Sequence, residues 1–265
     1  MSYESLILDE QTYGGLPVAH WPCSETAGVV AADVFGVNNA TLVDSPTLNV
    51  QPGPINRGPG GWVSLNGSSQ YLNLGTLGTL GANLANGLTI ECWLKSSVTN
   101  ASMTVFGVVG ASLKPFIKLA VNTDYNGLVA AGHIRVACFD LSGGVIEESV
   151  LSDTGITNGA AHHLVATIYP STKTTKIFAD GVQATSSSAP FGTLTTWANF
   201  PVAPCWGCQN NNGTFQQFFN GQIAQAALYN YVLAADRVKA HYLAANSLAF
   251  AMSGGTARIL GVKAA

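Results

Sequence analysis

The run from Phe219 to Leu243 constrains this chain more than any other stretch. It is an apolar strand that ends in a bend and passes into a short amphipathic helix. Between Ala234 and Ala245, the residues Ala235, Val238, Tyr242 and Ala245 fall at helical spacing, while Asp236, Arg237 and Lys239 point elsewhere. Asp236 lies in the first turn, where its charge suits the helix dipole. No long helical period precedes this segment. From about residue 17 to 230 the chain reads as short strand patterns separated by Gly, Asn, Ser and Pro clusters, the rhythm of a sandwich or jelly roll.

Individual strands are legible by their period of two. Leu88, Ile90, Cys92 and Leu94 share one face, with Thr89, Glu91, Trp93 and Lys95 on the other. Val63 and Leu65, the turn Asn66-Gly67-Ser68-Ser69, then Leu72 and Leu74 read as a hairpin. A strand over His163–Tyr169 leads into a second hairpin through Lys176–Gln183, where Asp180-Gly181 supplies the positive φ of a tight turn. The helix is expected to lie over an end of the sandwich.

Composition narrows the possible functions. The chain has 265 residues, enough for a sizeable core, and is 47% hydrophobic but only 9% charged. Surfaces so poor in charge are often covered by other protein, so assembly is expected. The net charge is −3 and no basic run occurs, which argues against a nucleic-acid partner. No stretch approaches the roughly 20 apolar residues that span a bilayer. The first ten residues lack a positive n-region, so synthesis in a cytoplasm without a signal peptide is expected. Five cysteines at irregular spacing give no disulfide framework, and Cys92 and Cys138 read as buried strand residues.

Five segments, in order, resemble laminin-G-like, concanavalin A-type jelly-roll domains. They are the opening strand around Leu16–Gly28, the acidic turn Asp33 to Leu42, Trp62–Gly75, Leu88–Lys95 and His162–Val182, closed by Phe219–Leu243. The resemblance implies an all-β fold: a sandwich of two antiparallel sheets with one short C-terminal helix. It places the domain at 1–246, with 1–16 as an N-terminal arm or edge strand. Residues 247–265 then form a C-terminal extension, a hairpin or an assembly arm whose apolar residues are Leu248, Phe250, Met252, Ile259 and Leu260. Domains of this appearance resemble those carried by tailed bacteriophages.

Catalysis is not expected. Glycoside hydrolysis needs two carboxyl groups about 5–9.5 Å apart, and the acids here do not supply them. Glu147-Glu148 and Asp9-Glu10 are adjacent, so on a strand each pair diverges. Glu91 shares a face with Trp93 but has no second acid in register, and reads as a solvated strand carboxylate. His163 is expected to pack at the sandwich edge. There is no nucleophile elbow, P-loop or zinc-helix motif. Cys205-Trp206-Gly207-Cys208 lies where a strand runs into a loop, not at a helix N-terminus, so it reads as strand cysteines.

The resemblance also implies calcium as a common cofactor. Here the final strand carries Ile223-Ala224-Gln225 where the family usually has two acids, leaving Glu25 and Asp33 as weak candidate ligands. Asp33 reads more simply as a turn cap; no cofactor is expected. A sugar site, if present, would use Trp197 and Trp206 beside Asn210, Asn211, Asn212 and Gln216; the plainer alternative is an Asn-rich loop with core tryptophans.

These observations favour a non-enzymatic structural protein of a virion surface, in head decoration or tail. Other virion proteins or copies of itself would be its partners, and glycan binding an additional role. The alternative is a carbohydrate-binding or adhesion module.

Overall fold

The computed structural model describes residues 3–12, 14–55, 60–75, 86–110, 116–123, 128–139, 145–151, 155–169, 172, 174–188 and 202–246. Helix α1 (Tyr3–Asp9) opens the chain and runs into a 3₁₀ turn, Glu10–Thr12. The strands are β1 (Ala19–Trp21), β2 (Val30–Ala31), β3 (Ala40–Val43), β4 (Thr47–Val50), β5 (Trp62–Asn66), β6 (Tyr71–Asn73), β7 (Leu88–Lys95), β8 (Met103–Val109), β9 (Phe116–Thr123), β10 (Val129–Phe139), β11 (Val145–Leu151), β12 (Ala161–Tyr169), β13 (Thr174–Ala179), β14 (Val182–Ser188), β15 (Cys205–Trp206), β16 (Gln209–Asn211), β17 (Thr214–Gln216) and β18 (Asn220–Tyr229). Helix α2 (Ala235–Asn246) follows.

Two sheets form. Sheet A has the order β14-β13-β12-β7-β18-β5-β4, with β1 also paired to β18. Sheet B runs β11-β10-β9-β8-β15-β6-β3-β2, with β16 on β8 and β17 on β16. Neighbours are antiparallel, except that β16 runs parallel to β8. The expected jelly-roll sandwich is therefore observed.

The core lies between the sheets and follows the period of two. Leu88, Ile90, Cys92 and Leu94 of β7 enter it, as do Ile117, Leu119 and Val121 of β9 and Leu164, Ala166 and Ile168 of β12. Trp21, Trp206, Phe106 and Phe219 fill its bulkiest part; Trp206 packs edge-on against Trp21 and Phe106 at centroid distances of 6.4 and 4.9 Å. Fully burying a side chain of this class contributes roughly 1.5–3 kcal/mol. All five cysteines are reduced and buried.

Four expectations are corrected. The segment 63–74 is not a hairpin: β5 pairs with β4 and β18 in sheet A, whereas β6 pairs with β3 and β15 in sheet B. Asn66 Oδ1 accepts from the Ser68, Ser69 and Gln70 amides, and this turn becomes a corner between sheets that sends both Leu65 and Leu72 into the core. The N-terminal arm or edge strand is a helix over residues 3–9, because Tyr3 and Ile7, one turn apart, bury one face. Helix α2 lies across the outer face of sheet A, not over an end. Its Val238 meets Val165 and Phe178, and Ala245 joins Tyr3, Ile7, Trp62, Trp93 and Ala224. Arg237, expected to face away, is buried on that side. The hairpin through Asp180-Gly181 forms as read, both residues having positive φ (53° and 75°).

Candidate functional site

The outer faces of the two sheets differ, and each holds some of the candidate residues. On sheet A the face beneath the helices is filled with ionisable side chains. Glu91, which points outward from β7, is fully buried and accepts from four side chains. Its Oε1 takes the Tyr3 hydroxyl (3.0 Å), His163 Nε2 (2.8 Å) and His241 Nδ1 (2.9 Å). Its Oε2 takes the Tyr229 hydroxyl at 2.7 Å. His241 bridges onward: its Nε2 lies 2.9 Å from Glu10 Oε1, which also receives Arg237 Nε at 2.7 Å and is ion-paired with Nη2 at 2.6 Å.

Two carboxylates thus face Arg237 and a charged His241 in a closed group. Burial alone would push the Glu91 carboxyl up. The His241 charge beside it and the hydrogen bonds from His163 and His241 outweigh burial, holding it well below the usual carboxylate range. For His241, burial pulls down but Glu91 and Glu10 prevail, raising it to about 9. Burial and then Glu91 push both tyrosine hydroxyls well up, so they remain donors. The expectation of a solvated Glu91 is corrected, as is an edge position for His163: β12 pairs with the central strand β7, placing His163 opposite Trp93. Glu91 and Glu10 are both at 0% exposure, so neither can reach a substrate.

Among the described residues, the outer face of sheet B carries no such plug beside β3, β6 and β15. Leu42, Leu72 and Trp206 turn into the core, so Thr41, Val43, Tyr71, Asn73 and Cys205 turn outward. Register sets Val43 beside Tyr71, and Asn73 between Thr41 and Cys205. The β16–β17 hairpin brings two further aromatics over this surface. Phe215 stacks on Tyr71 with centroids 4.5 Å apart, and Phe218 tilts against it at 6.2 Å. Cys205 and Cys208 belong to the same cluster as the three rings. Gly207 allows the chain to pass from inward Trp206 to this layer: its φ is 86°, and a Cβ there would sit 2.3 Å from Leu65 Cδ1. Phe215 and Phe218 stay half-exposed. The Tyr71 hydroxyl has no hydrogen-bond partner among the described residues. Burial, then Cys205, Cys208 and Asp44, push its pKa up to about 12.

The candidate residues read from sequence are only partly brought together. Trp206 is fully buried in the core and cannot stack on a ligand, because Gly207 turns it inward. Asn210 is spent inside the hairpin, with Nδ2 donating to Ala203 O and Oδ1 accepting the Gly213 amide. Cross-strand register puts Asn210 on the Phe215 face, whereas Asn211 lies opposite Thr214, and Gln216 opposite Gln209, on the other. Asn212 forms the turn in a left-handed conformation (φ 48°). Trp197 and the arm residues Leu248, Phe250, Met252, Ile259 and Leu260 lie outside the described residues. The aromatic pair Tyr71–Phe215 escaped the sequence reading; the alternation of Tyr71 with the core residues Leu72 and Leu74 was a usable signal for the outward half.

The residues proposed for calcium do not fit a cation. Asp33 Oδ1 accepts the His20 and Phe35 amides, and Oδ2 those of Val37 and Asn38. Glu25 Oε1 accepts the Ala32 amide at 2.7 Å, leaving only Oε2. Amide hydrogens surround the very oxygens a cation would need, and one spare oxygen is far from the six to eight calcium takes. Asp33 is a turn cap. Among the described residues no group of three His, Cys, Asp or Glu is placed to hold a metal.

Comparison with known proteins agrees with this architecture. A carbohydrate-binding module (CBM40) of the Ruminococcus gnavus IT-sialidase, solved with α2,3-sialyllactose, superposes with a TM-score of 0.53 at 15% identity, covering 68% of this chain and 95% of that one. The binding domain of botulinum neurotoxin serotype D gives 0.58 at 13% identity over 85% of this chain and 51% of that one, so the chain spans about half of it. The NanB sialidase of Streptococcus pneumoniae gives 0.50 at 18% identity, over 68% of this chain and 27% of that one. At these identities the likeness is one of fold. No curated protein sequence matches the chain. The family profile of the concanavalin A-like lectin/glucanases superfamily, in its laminin-G form, matches residues 66–239, which is more than half of the chain. On that match the chain belongs to that superfamily.

Proposed function

We propose that the chain is a non-catalytic glycan-recognition module and that sugar docks on the outer face of sheet B, against Phe215, Phe218 and Tyr71. The observation that carries this reading is the half-exposed Phe215 and Phe218 packed on the buried Tyr71 ring, flanked by Thr41 and Asn73 on the same face. Aromatic rings with a few placed polar groups are the usual make-up of a small-molecule site. The structural neighbours include a module solved with sialyllactose, which supports recognition of sugar over its cleavage. Burial of Glu91 and Glu10, and their pairing with Arg237 and His241, support the same view, since hydrolysis needs reachable carboxyls. A glycan array probed with the protein and with Phe215→Ala tests the reading. Binding that Phe215→Ala removes is expected; no binding to any glycan, or binding indifferent to Phe215, overturns it.

A second reading has its own support: a structural role on a virion surface, in head decoration or tail of a tailed bacteriophage, after synthesis in the host cytoplasm. Only 9% of residues are charged, and several of these are withdrawn into the Glu91 group, leaving an unusually uncharged exterior suited to burial against other subunits. Light scattering on the full chain and on one ending at Asn246 tests it. A defined oligomer that becomes monomeric on truncation is expected; a monomer in both cases removes self-assembly through the arm. The described helices include none long and apolar enough to cross a membrane.

A further inference from the structure

We propose that Cys205 and Cys208 form a redox-active dithiol on the outer face of sheet B, and that a low-molecular-weight disulfide such as oxidised glutathione converts it to a disulfide that fastens the β16–β17 hairpin. This holds whether or not sugar binds there. Of the five cysteines, Cys23, Cys92 and Cys138 lie in the core between the sheets. Cys205 and Cys208 stand apart from them, in the outer cluster with Tyr71, against which Val43, Phe215 and Phe218 pack. The hairpin carrying Phe215 has strands of three residues each, and β17 pairs with β16 alone. Short segments with few partners open locally at the least free energy, which gives a small reagent its way in.

The path of the chain brings the two side chains together. Cys205 pairs with Gly107 of β8. Gly207, at φ 86°, then reverses the chain; its amide donates to Val105 O and its carbonyl accepts the Phe219 amide, both at 2.8 Å. On its return the chain crosses the same Gly107, where a Cβ would stand 3.2 Å from both Cys208 O and Gln209 Cα. The two cysteines thus meet over one residue of β8, with their side chains in hydrogen-bond contact. A disulfide needs Cα atoms about 4.4–6.8 Å apart. A strand running straight through three residues would set them roughly 10 Å apart, so the reversal at Gly207 is what puts the pair within reach. Because Cys208 directly precedes β16, the bond ties the root of the hairpin to β15, which lies between β6 and β8.

The surroundings tolerate the loss of both thiol hydrogens. The Cys205 thiol donates to Ala203 O at 3.8 Å, and the Asn210 side chain donates to that same oxygen at 2.8 Å, so oxidation leaves Ala203 O satisfied. In the exchange, one cysteine gives its proton to water and its sulfur attacks oxidised glutathione, breaking that S–S bond and releasing one glutathione thiolate, which takes up a proton. The second cysteine, deprotonated in turn, attacks the protein sulfur of the mixed disulfide and releases the second glutathione. Two protein thiols lose two electrons, and one glutathione disulfide is reduced to two thiols. The hydrogen bond with Cys205, then burial, pushes the Cys208 thiol up, so the exchange is slow at neutral pH and quickens as pH rises.

Incubating the folded full chain with oxidised glutathione, then quenching in acid, counting free thiols and mapping disulfides by peptide mass spectrometry, tests the proposal. The five thiols are expected to fall to three, with one disulfide mapped to Cys205–Cys208. The intact mass should drop by about 2 Da, and faster at higher pH. Cys205→Ser and Cys208→Ser should each stop that loss and instead hold one glutathione on the remaining cysteine. The thiol count on the natural sequence decides the question even where a serine variant fails to fold. Five thiols surviving exposure, a disulfide joining any other pair, or a bond that forms only once the chain is unfolded overturns the proposal. Protease cleavage within the hairpin should slow at least about threefold on oxidation and recover with dithiothreitol. An unchanged cleavage rate overturns the fastening of the hairpin.

Discussion

The two outer faces of the sandwich use polarity in opposite ways. Sheet A carries a carboxylate at its centre, then closes both chain ends over it: Tyr3 and Glu10 come from the N-terminal helix and turn, Arg237 and His241 from α2. Sheet B keeps its outward positions uncharged beside β3 and β6 and leaves aromatic rings half-exposed. In a chain with 14 acidic and 11 basic residues, placing Glu10, Glu91 and Arg237 in one buried group is a large commitment. The contrast separates two jobs. The ionic face fixes the position of the terminal helices, because four donors converge on one carboxylate that no water can reach. The uncharged face carries no such ionic group among the described residues.

Removing Glu91 is the strongest way to break this comparison. In Glu91→Ala, His163, His241, Tyr3 and Tyr229 lose their common acceptor, and the His241 charge stays buried with Glu10 alone. Stripping one partner from a buried ionic group costs about 3–5 kcal/mol, a large share of the roughly 5–15 kcal/mol that holds a domain folded. Equilibrium urea unfolding at neutral pH measures the loss, and limited proteolysis reports whether the first fifteen residues become cleavable. A cost below about 1 kcal/mol would mean that apolar packing of Tyr3, Ile7 and Ala245 holds the helices and the ions are incidental.

How much of this was visible in the sequence depends on range. The alternation in Leu88–Leu94 declared which residues of β7 enter the core, and the Asp180-Gly181 turn declared its hairpin. Both are local, set by backbone period and by positive φ. The corner at Asn66-Gly67 was misread because a period of two says which side chains are inward, not which sheet a strand joins. Leu65 and Leu72 look the same in either arrangement. Glu91 was misread for a stronger reason. Its partners Tyr3 and His241 are 88 and 150 residues away, and Glu10 meets His241 across 231, so nothing nearby signals burial. Trp206 sits in a strand of two residues, too short to show any period. The Tyr71–Phe215 pair needs β6 and the β16–β17 hairpin to meet, again a long-range event.

The pH dependence of stability sharpens the comparison at a smaller scale. His241 has its pKa raised from 6.5 to about 9 in the folded chain. Its contribution is therefore complete below about pH 6.5 and disappears as pH rises through about 9. A shift of that size corresponds to roughly 3 kcal/mol. Glu91 has the opposite sign: its pKa is depressed, so its contribution is present above about 4.5 and is lost only in stronger acid. Unfolding midpoints from pH 6 to 10 should fall on the alkaline side for the natural sequence. His241→Gln should be less stable at pH 6 and lack most of that alkaline decline. The same decline in both proteins would place the alkaline transition elsewhere.

The smallest effect belongs to the other face. Phe215→Ala removes a half-exposed ring stacked on Tyr71, and an aromatic pair of this kind adds about 0.5–1.5 kcal/mol beyond the area it covers. Stability should therefore fall by roughly 1–2 kcal/mol. The pH profile should keep its natural shape, because Phe215 touches no member of the Glu91 group. Ligand binding should be lost while the protein remains folded at neutral pH. If Phe215→Ala instead flattened the alkaline decline, the two faces would be coupled through the core. The hairpin that carries Phe215 joins the core through Trp206 and Phe219, which belong to the same cluster as the inward residues of β7. A core as rigid as close packing implies passes little through such a route, so an unchanged profile is the expected outcome. It would show that a half-exposed aromatic stack can be altered for a new ligand without disturbing the ions that hold the chain ends.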